Sequence, residues 1–132
     1  MPAVPPALVE TKGCYCLAAR RKARAITRLY DRHLRPHGLR ATQFSILAAL
    51  ALKGPTRVSA LADVLGLERT TLTRSAALLE ARGWLGPAEA DDAREHRLRL
   101  TPAGWRTLEA ALPAWKRAQA LVGGRRGRRL GA

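Results

Sequence analysis

A chain of 132 residues with 24 Lys and Arg against 10 Asp and Glu, a formal net charge of +14, makes one domain with a modest core and a surplus of cation that suits a polyanion. The longest apolar run, "FSILAALAL" with Ser45 inside it, falls short of the ~20 residues a membrane span needs, and "MPAVPPALVE" lacks the basic and apolar regions of a signal peptide. Two cysteines cannot build a disulfide scaffold, so the chain reads as cytoplasmic with no membrane partner.

With only six aromatic residues, alanine and leucine must supply the packing, which predicts a mainly α fold. Residues 1–12 are proline-rich and predict a flexible N-terminal arm. Over 13–37, Ala19, Ala23, Ile26 and Tyr30 recur at three- and four-residue spacing with Leu29 and His33 beside them, and arginine fills most gaps. That pattern predicts an amphipathic helix stopped near Pro36 and Gly38. "TQFSILAALAL", from Thr42, is apolar on nearly all faces and belongs at the centre of the core. Gly54 and Pro55 end it. Ser59 then suits the N-cap of a short helix, "ALADVL", closed by Gly66.

The stretch "LGLERTTLTRSAALLEARGW" supplies the next helix, roughly 69–82, ending on Gly83. Its first turns hold Arg69, Thr70, Thr71, Thr73 and Arg74, although threonine is a middling helix former. Short hydroxyls and guanidiniums there suit a helix end that meets something polar and anionic. Two helices joined by a tight glycine turn form a helix-turn-helix, whose second helix presents its N-terminal residues to base edges in the DNA major groove. Arginine reads guanine, and threonine bonds bases or phosphates or touches a thymine methyl. Leu72 and Leu79 are assigned to packing.

"WLGPAEADDAREHRLRLT" reads as two short strands around an acidic turn, with Leu98 and Leu100 alternating with Arg97 and Arg99. A hairpin directly after a recognition helix makes a wing, so residues 38–101 are read as a winged helix-turn-helix. Thr101-Pro102 is a strong helix start. Trp105, Leu108, Leu112 and Trp115 continue at helical spacing to about residue 121, with Pro113 inside, and residues 122–132, ending in "GGRRGRRLGA", read as a disordered basic tail. Charge is uneven along this plan. Residues 1–40 carry nine basic and two acidic side chains, 102–132 seven and one, and 41–101 eight and seven.

The run "LERTTLTRSAALLEARGW" followed by "DDAREHRLRLTPAG" resembles the MarR family of transcriptional regulators, over residues 14–121. The resemblance implies a fold that is mainly α with a small β-hairpin, a winged helix-turn-helix flanked by N- and C-terminal dimerisation helices at 13–37 and 102–121. It implies a homodimer that binds double-stranded DNA sequence-specifically as a ligand- or oxidant-responsive repressor. The recognition helix enters the major groove, and the wing arginine, which falls on Arg94, enters the minor groove. Arg97 matches a second motif arginine that holds the turn by pairing with an acid such as Asp92. Tyr30 and Trp105 are candidates to line a cleft for a small-molecule inducer. The chain departs from the family pattern at Glu68 (a poor helix cap), Pro87, Glu95 and His96. It also departs in a shortened C-terminal end, where the tail stands in place of a final long helix and dimerisation would rest on 13–37 and 102–121. That shortening motivates an alternative, a non-specific nucleic-acid binder or a heterodimerising antagonist of a full-length relative.

Cys14 and Cys16 admit three roles. Free cysteines are often small buried hydrophobes. The spacing from Cys16 to Gln43 resembles that of the organic-hydroperoxide-sensing branch of the family, in which oxidation by a hydroperoxide to a sulfenic acid or disulfide would release DNA. Metal binding with His33 and His37 is the third, but Pro36 interrupts the histidine helix and Cys-x-Cys is tighter than usual zinc spacing, so no metal and no cofactor are expected. With no glycine-rich phosphate loop, no His-Glu-x-x-His and three scattered histidines, the chain is not read as an enzyme.

Overall fold

The computed structural model describes residues 3–92 and 94–130, the last six as backbone only. Pro6, pre-set to a helical φ, opens a short helix α1 (Pro6–Glu10) that runs into a 3-10 turn at Thr11–Gly13. The predicted flexible arm is therefore ordered from Pro6 onward, although every described residue in it is exposed; Thr11 Oγ1 donates to the Leu8 carbonyl at 2.7 Å. Residues 1 and 2 of that arm lie outside the described residues.

Helix α2 (Tyr15–Leu34) buries only Leu29 and Leu34 and ends in a 3-10 turn at Arg35–His37. Helix α3 (Ala41–Lys53) begins one residue before Thr42 and takes its caps from outside the expected position: Arg40 N–H donates to Gln43 Oε1 at 3.1 Å, and Ala41 N–H to Asp31 Oδ1 at 2.7 Å. These bonds satisfy two N–H groups that a helix start leaves without intrahelical partners, and they explain why Gln43 is buried. Phe44, Ile46, Leu47 and Leu50 put α3 at the centre of the core, as the all-round apolar pattern predicts.

A two-residue strand β1 (Thr56–Arg57) leads straight into α4 (Val58–Leu65). Ser59 lies inside that helix, and Arg57 occupies the N-cap position without a side-chain bond. The Val58 N–H donates to the His96 carbonyl at 2.9 Å, so the backbone of a distant segment does what the Ser59 hydroxyl was expected to do. Helix α5 (Arg69–Ala81) follows, with Glu68 at a cap position that makes no side-chain bond. Strands β2 (Leu85–Pro87) and β3 (Arg97–Leu100) pair antiparallel, Leu85 opposite Leu100. The predicted hairpin is thus part of a three-stranded sheet in the order β1-β3-β2, because two residues are too few for β1 to show an alternating pattern. Leu98, fully buried, ties the sheet to the core.

The last helix, α6, spans Pro102–Leu130. Thr101 caps it as predicted: its Oγ1 accepts from Gly104 N–H at 3.0 Å and donates to the Gly83 carbonyl at 2.6 Å. Gly104 is required here by contact. A Cβ on it would stand 2.2 Å from the Trp84 carbonyl oxygen and 2.7 Å from Leu100 Cδ1. The buried stripe is Gly104, Leu108, Ala111, Ala114 and Ala118, while Trp105 and Leu112 face outward, a correction to the stripe read from the large apolar residues. Small side chains allow α6 to lie close on α2 and α3; Trp115 stacks on Phe44 with centroids 6.0 Å apart and planes 12° off parallel.

The helix does not stop near residue 121. It continues through Gly123 and Gly124 to Leu130, which corrects both the disordered-tail reading of 122–132 and the shortened C-terminal end. Each glycine costs about 1 kcal/mol relative to alanine. Extending an existing helix nevertheless avoids the nucleation cost, and arginine is a good helix former. The tail's arginine side chains and residues 131 and 132 lie outside the described residues.

Candidate nucleic-acid interface

The helix period sorts α5 into three faces. Leu72, Ala76 and Leu79 are buried in the core. Arg69, Thr70, Thr73 and Arg74 are exposed on the outward side, where Thr73 Oγ1 donates to the Arg69 carbonyl at 2.8 Å. Thr71, also exposed, shares a third face with Ser75, Leu78 and Arg82, directed at α2 and α3. The five polar residues read from sequence as one group therefore divide between two surfaces.

The wing is shaped by its acids. Asp92 Oδ1 accepts from the Arg94 N–H at 3.0 Å, and the Asp92 carbonyl accepts from the Glu95 N–H at 2.9 Å, an Asx turn that leaves the Arg94 side chain exposed. Arg97 pairs with Glu95, its Nε 3.3 Å from Oε1, where the sequence reading paired it with Asp92. The same Glu95 oxygen lies 3.3 Å from Arg57 Nε. The reach of Glu95 accounts for the change of partner: its longer side chain meets both guanidiniums, while Asp92 is committed to the backbone beside it.

These elements meet. Arg69 at the start of α5 and Arg94 in the wing line one open cleft of about 380 Å³, together with Arg57, Ser59 and His96. Both acids on that wall, Asp92 and Glu95, are engaged within the wing. Arg57 and Ser59 are not assigned to this surface from sequence, because β1 is too short to place Arg57; His96 stands in the sequence as a titratable departure from the family pattern beside the DNA side. A second cleft of about 880 Å³ separates the α5 face from α2 and α3, lined by Thr27, Asp31, Arg35, Arg40, Thr71 and Arg82 among others. Tyr30 and Trp105 are not among its walls. Instead the Tyr30 hydroxyl donates to Gln119 Oε1 across the α2–α6 seam, and Trp105 is 44% exposed on α6.

The DNA-bound crystal structure of the transcriptional regulator MosR from M. tuberculosis matches this architecture with a TM-score of 0.78 and 41% identity, over 88% of this chain and 89% of that one. A second crystal structure of MosR gives 0.78 and 37% over 90% of each chain. The family model described as "MarR family" matches residues 37–95, from the end of the 3-10 turn after α2 to the wing turn, short of β3. The chain belongs to the MarR family. It is a DNA-binding transcriptional regulator of that family, whose members are not enzymes. The HTH-type transcriptional regulator YwoH of Bacillus subtilis is 34% identical over 79 residues, 60% of this chain and 58% of that relative's length.

In this MarR-family chain both cysteines are exposed and free, Cys14 at the N-cap of α2 and Cys16 within its first turn, so the buried-hydrophobe reading is corrected. They escape burial because α2 turns only its C-terminal Leu29 and Leu34 into the core. Among the described residues no group of three or more His, Cys, Asp or Glu is placed to hold a metal, and no helix is long and apolar enough to cross a membrane.

Proposed function

We propose that this regulator is a sequence-specific, homodimeric repressor that places α5 in the major groove and Arg94 in the minor groove of its operator. The observation that carries the reading is the convergence of Arg69 and Arg94 on one cleft whose acids are internally engaged. Arg69, Thr70, Thr73 and Arg74 face outward for base and phosphate contact, while Arg97 and Asp92 support the wing. The MosR chain it resembles was crystallised in complex with DNA, which supports DNA as the partner. The α6 helix, continuous to Leu130, supports a dimer built from α2 and α6. It also weakens the case for the alternative, a non-specific binder or an antagonist, which was motivated by a shortened end.

The reading extends to control by an effector. Exposure of Cys14 and Cys16 leaves their thiols open to a hydroperoxide, and the cleft behind α5 offers a small-molecule inducer hydroxyl and guanidinium groups.

Fluorescence-anisotropy titration of a duplex from the gene's upstream region against a scrambled duplex, at ~150 mM salt, tests the core of this reading. Specific binding at least ~10³-fold tighter than random binding is the expected result. A ratio near one on every upstream duplex overturns it. Release of DNA by peroxide from the native protein, absent in Cys16→Ser, is the expected sign of oxidant control.

A further inference from the structure

We infer that Arg82 is a positioning residue for base recognition: it fixes the far end of α5 to the end of α2, and so sets the angle at which the recognition helix is presented. The inference rests on the placement of α5 in the major groove proposed above.

Arg82 is the C-cap of α5, where a cation is favoured by the negative end of the helix dipole. Its guanidinium lies over the Trp84 ring, 5.1 Å from the centroid, and its Nη1 donates to the carbonyl of Gly38. Gly38 closes the turn after α2 with a φ of 74°, and a Cβ there would stand 3.3 Å from both Arg82 Nη1 and Trp84 Cη2. The bare α-carbon thus serves the backbone conformation and the close approach of the other two side chains. Trp84 is itself pinned, its N–H donating to the Leu79 carbonyl at 3.0 Å and its carbonyl accepting from Thr101 N–H at 3.1 Å. One planar group therefore joins the end of α2, the end of α5 and, through Trp84, the start of α6.

The magnitude of the lever decides that this matters. Thirteen residues of α5 at the helical rise make a rod about 20 Å long. A tilt of about 5° at its Arg82 end displaces the Arg69 end by roughly 2 Å. Hydrogen bonds tolerate a few tenths of an ångström, so base contacts would fail while flexible phosphate contacts, reached by long side chains, would persist. Arginine suits the post because its fork donates and its plane stacks at once; lysine keeps the charge and loses the plane.

The test uses Arg82→Lys and Arg82→Ala in the full chain, with a duplex that the wild-type protein selects from a randomised library. Affinities for the selected and for a scrambled duplex are measured well below the melting temperature of each variant. Destabilisation alone lowers both affinities by one factor, and a lost phosphate contact does the same. The expected result is a selected-to-scrambled ratio about tenfold lower in both variants, with Arg82→Lys within about twofold of wild type on scrambled DNA. An unchanged ratio in Arg82→Lys overturns the positioning role, and that variant decides the matter even if Arg82→Ala does not fold. If the wild-type protein selects no motif, the recognition reading itself fails and the positioning role falls with it.

Discussion

Arg57 and Arg97 stand directly opposite each other in the β1–β3 pair, a like-charge placement that destabilises a sheet. Glu95 Oε1, 3.3 Å from each Nε, bridges the pair, offsets one of its two charges and makes the wing base a three-residue unit. The partly exposed setting limits its contribution to stability to about 1 kcal/mol; its effect is on where the wing points. Gly104 is the opposite case, a residue with no side chain and a large effect on packing. Gly104→Ala forces a methyl group against the Trp84 carbonyl and Leu100, and overpacking of this kind costs about 1–3 kcal/mol. Urea denaturation of the variant should show a lower midpoint with an unchanged slope. An unchanged midpoint would mean that α6 shifts away from Trp84 without cost.

At the scale of elements, sequence pattern was most informative where one chain segment decides its own conformation. Thr101-Pro102 is a cap and an N1 proline in sequence and in structure. It was least informative where the partner is remote: the α4 start is satisfied by the His96 carbonyl and the α3 start by Asp31, and neither is visible from local spacing. The outward residues of α5 were legible, but their division between two faces required knowing what packs beside the helix. The α2–α6 seam carries a pH dependence. Burial raises the Tyr30 phenol above its ordinary value of 10.0, so the folded state favours the neutral form. That contribution is complete below pH 10 and is lost as pH rises through the higher folded value. The melting temperature of wild type should therefore fall more steeply above pH 10 than that of Tyr30→Phe. Parallel curves would remove Tyr30 from the pH response.

For the whole molecule, the +14 charge was a guide to the kind of partner and a poor guide to its site. Its excess lies on the two terminal thirds, while the recognition elements are nearly balanced, since balance within the wing is what shapes it. The end of the chain was misread because two glycines argue against helix locally, whereas α6 already exists when it reaches them. Removing residues 122–132 tests the part that this extension plays in assembly. Sedimentation is expected to give about twice the 14.4 kDa chain mass for the full protein and a shift toward one chain for the shortened one. A shortened chain that remains dimeric would assign the whole interface to α2 and the first turns of α6.

The clasp at the foot of the wing has a further consequence. Thr101 N–H meets the Trp84 carbonyl and Thr101 Oγ1 meets Gly83, so the chain leaves and re-enters the helical body at a single closed gate. Leu85, Leu98 and the His96 carbonyl are tied into that body, and only the tip beyond the bond from Ala88 N–H to the Arg97 carbonyl is an excursion whose length the body does not register. Doubling a flexible loop costs only about 0.6 kcal/mol in closure entropy. The wing can therefore lengthen, shorten or exchange its tip while α5 and α6 keep their places. With the wing and α5 placed on DNA as proposed, the reach along the duplex and the reading of bases would be separately adjustable, and a lineage or an engineer could change one without rebuilding the other.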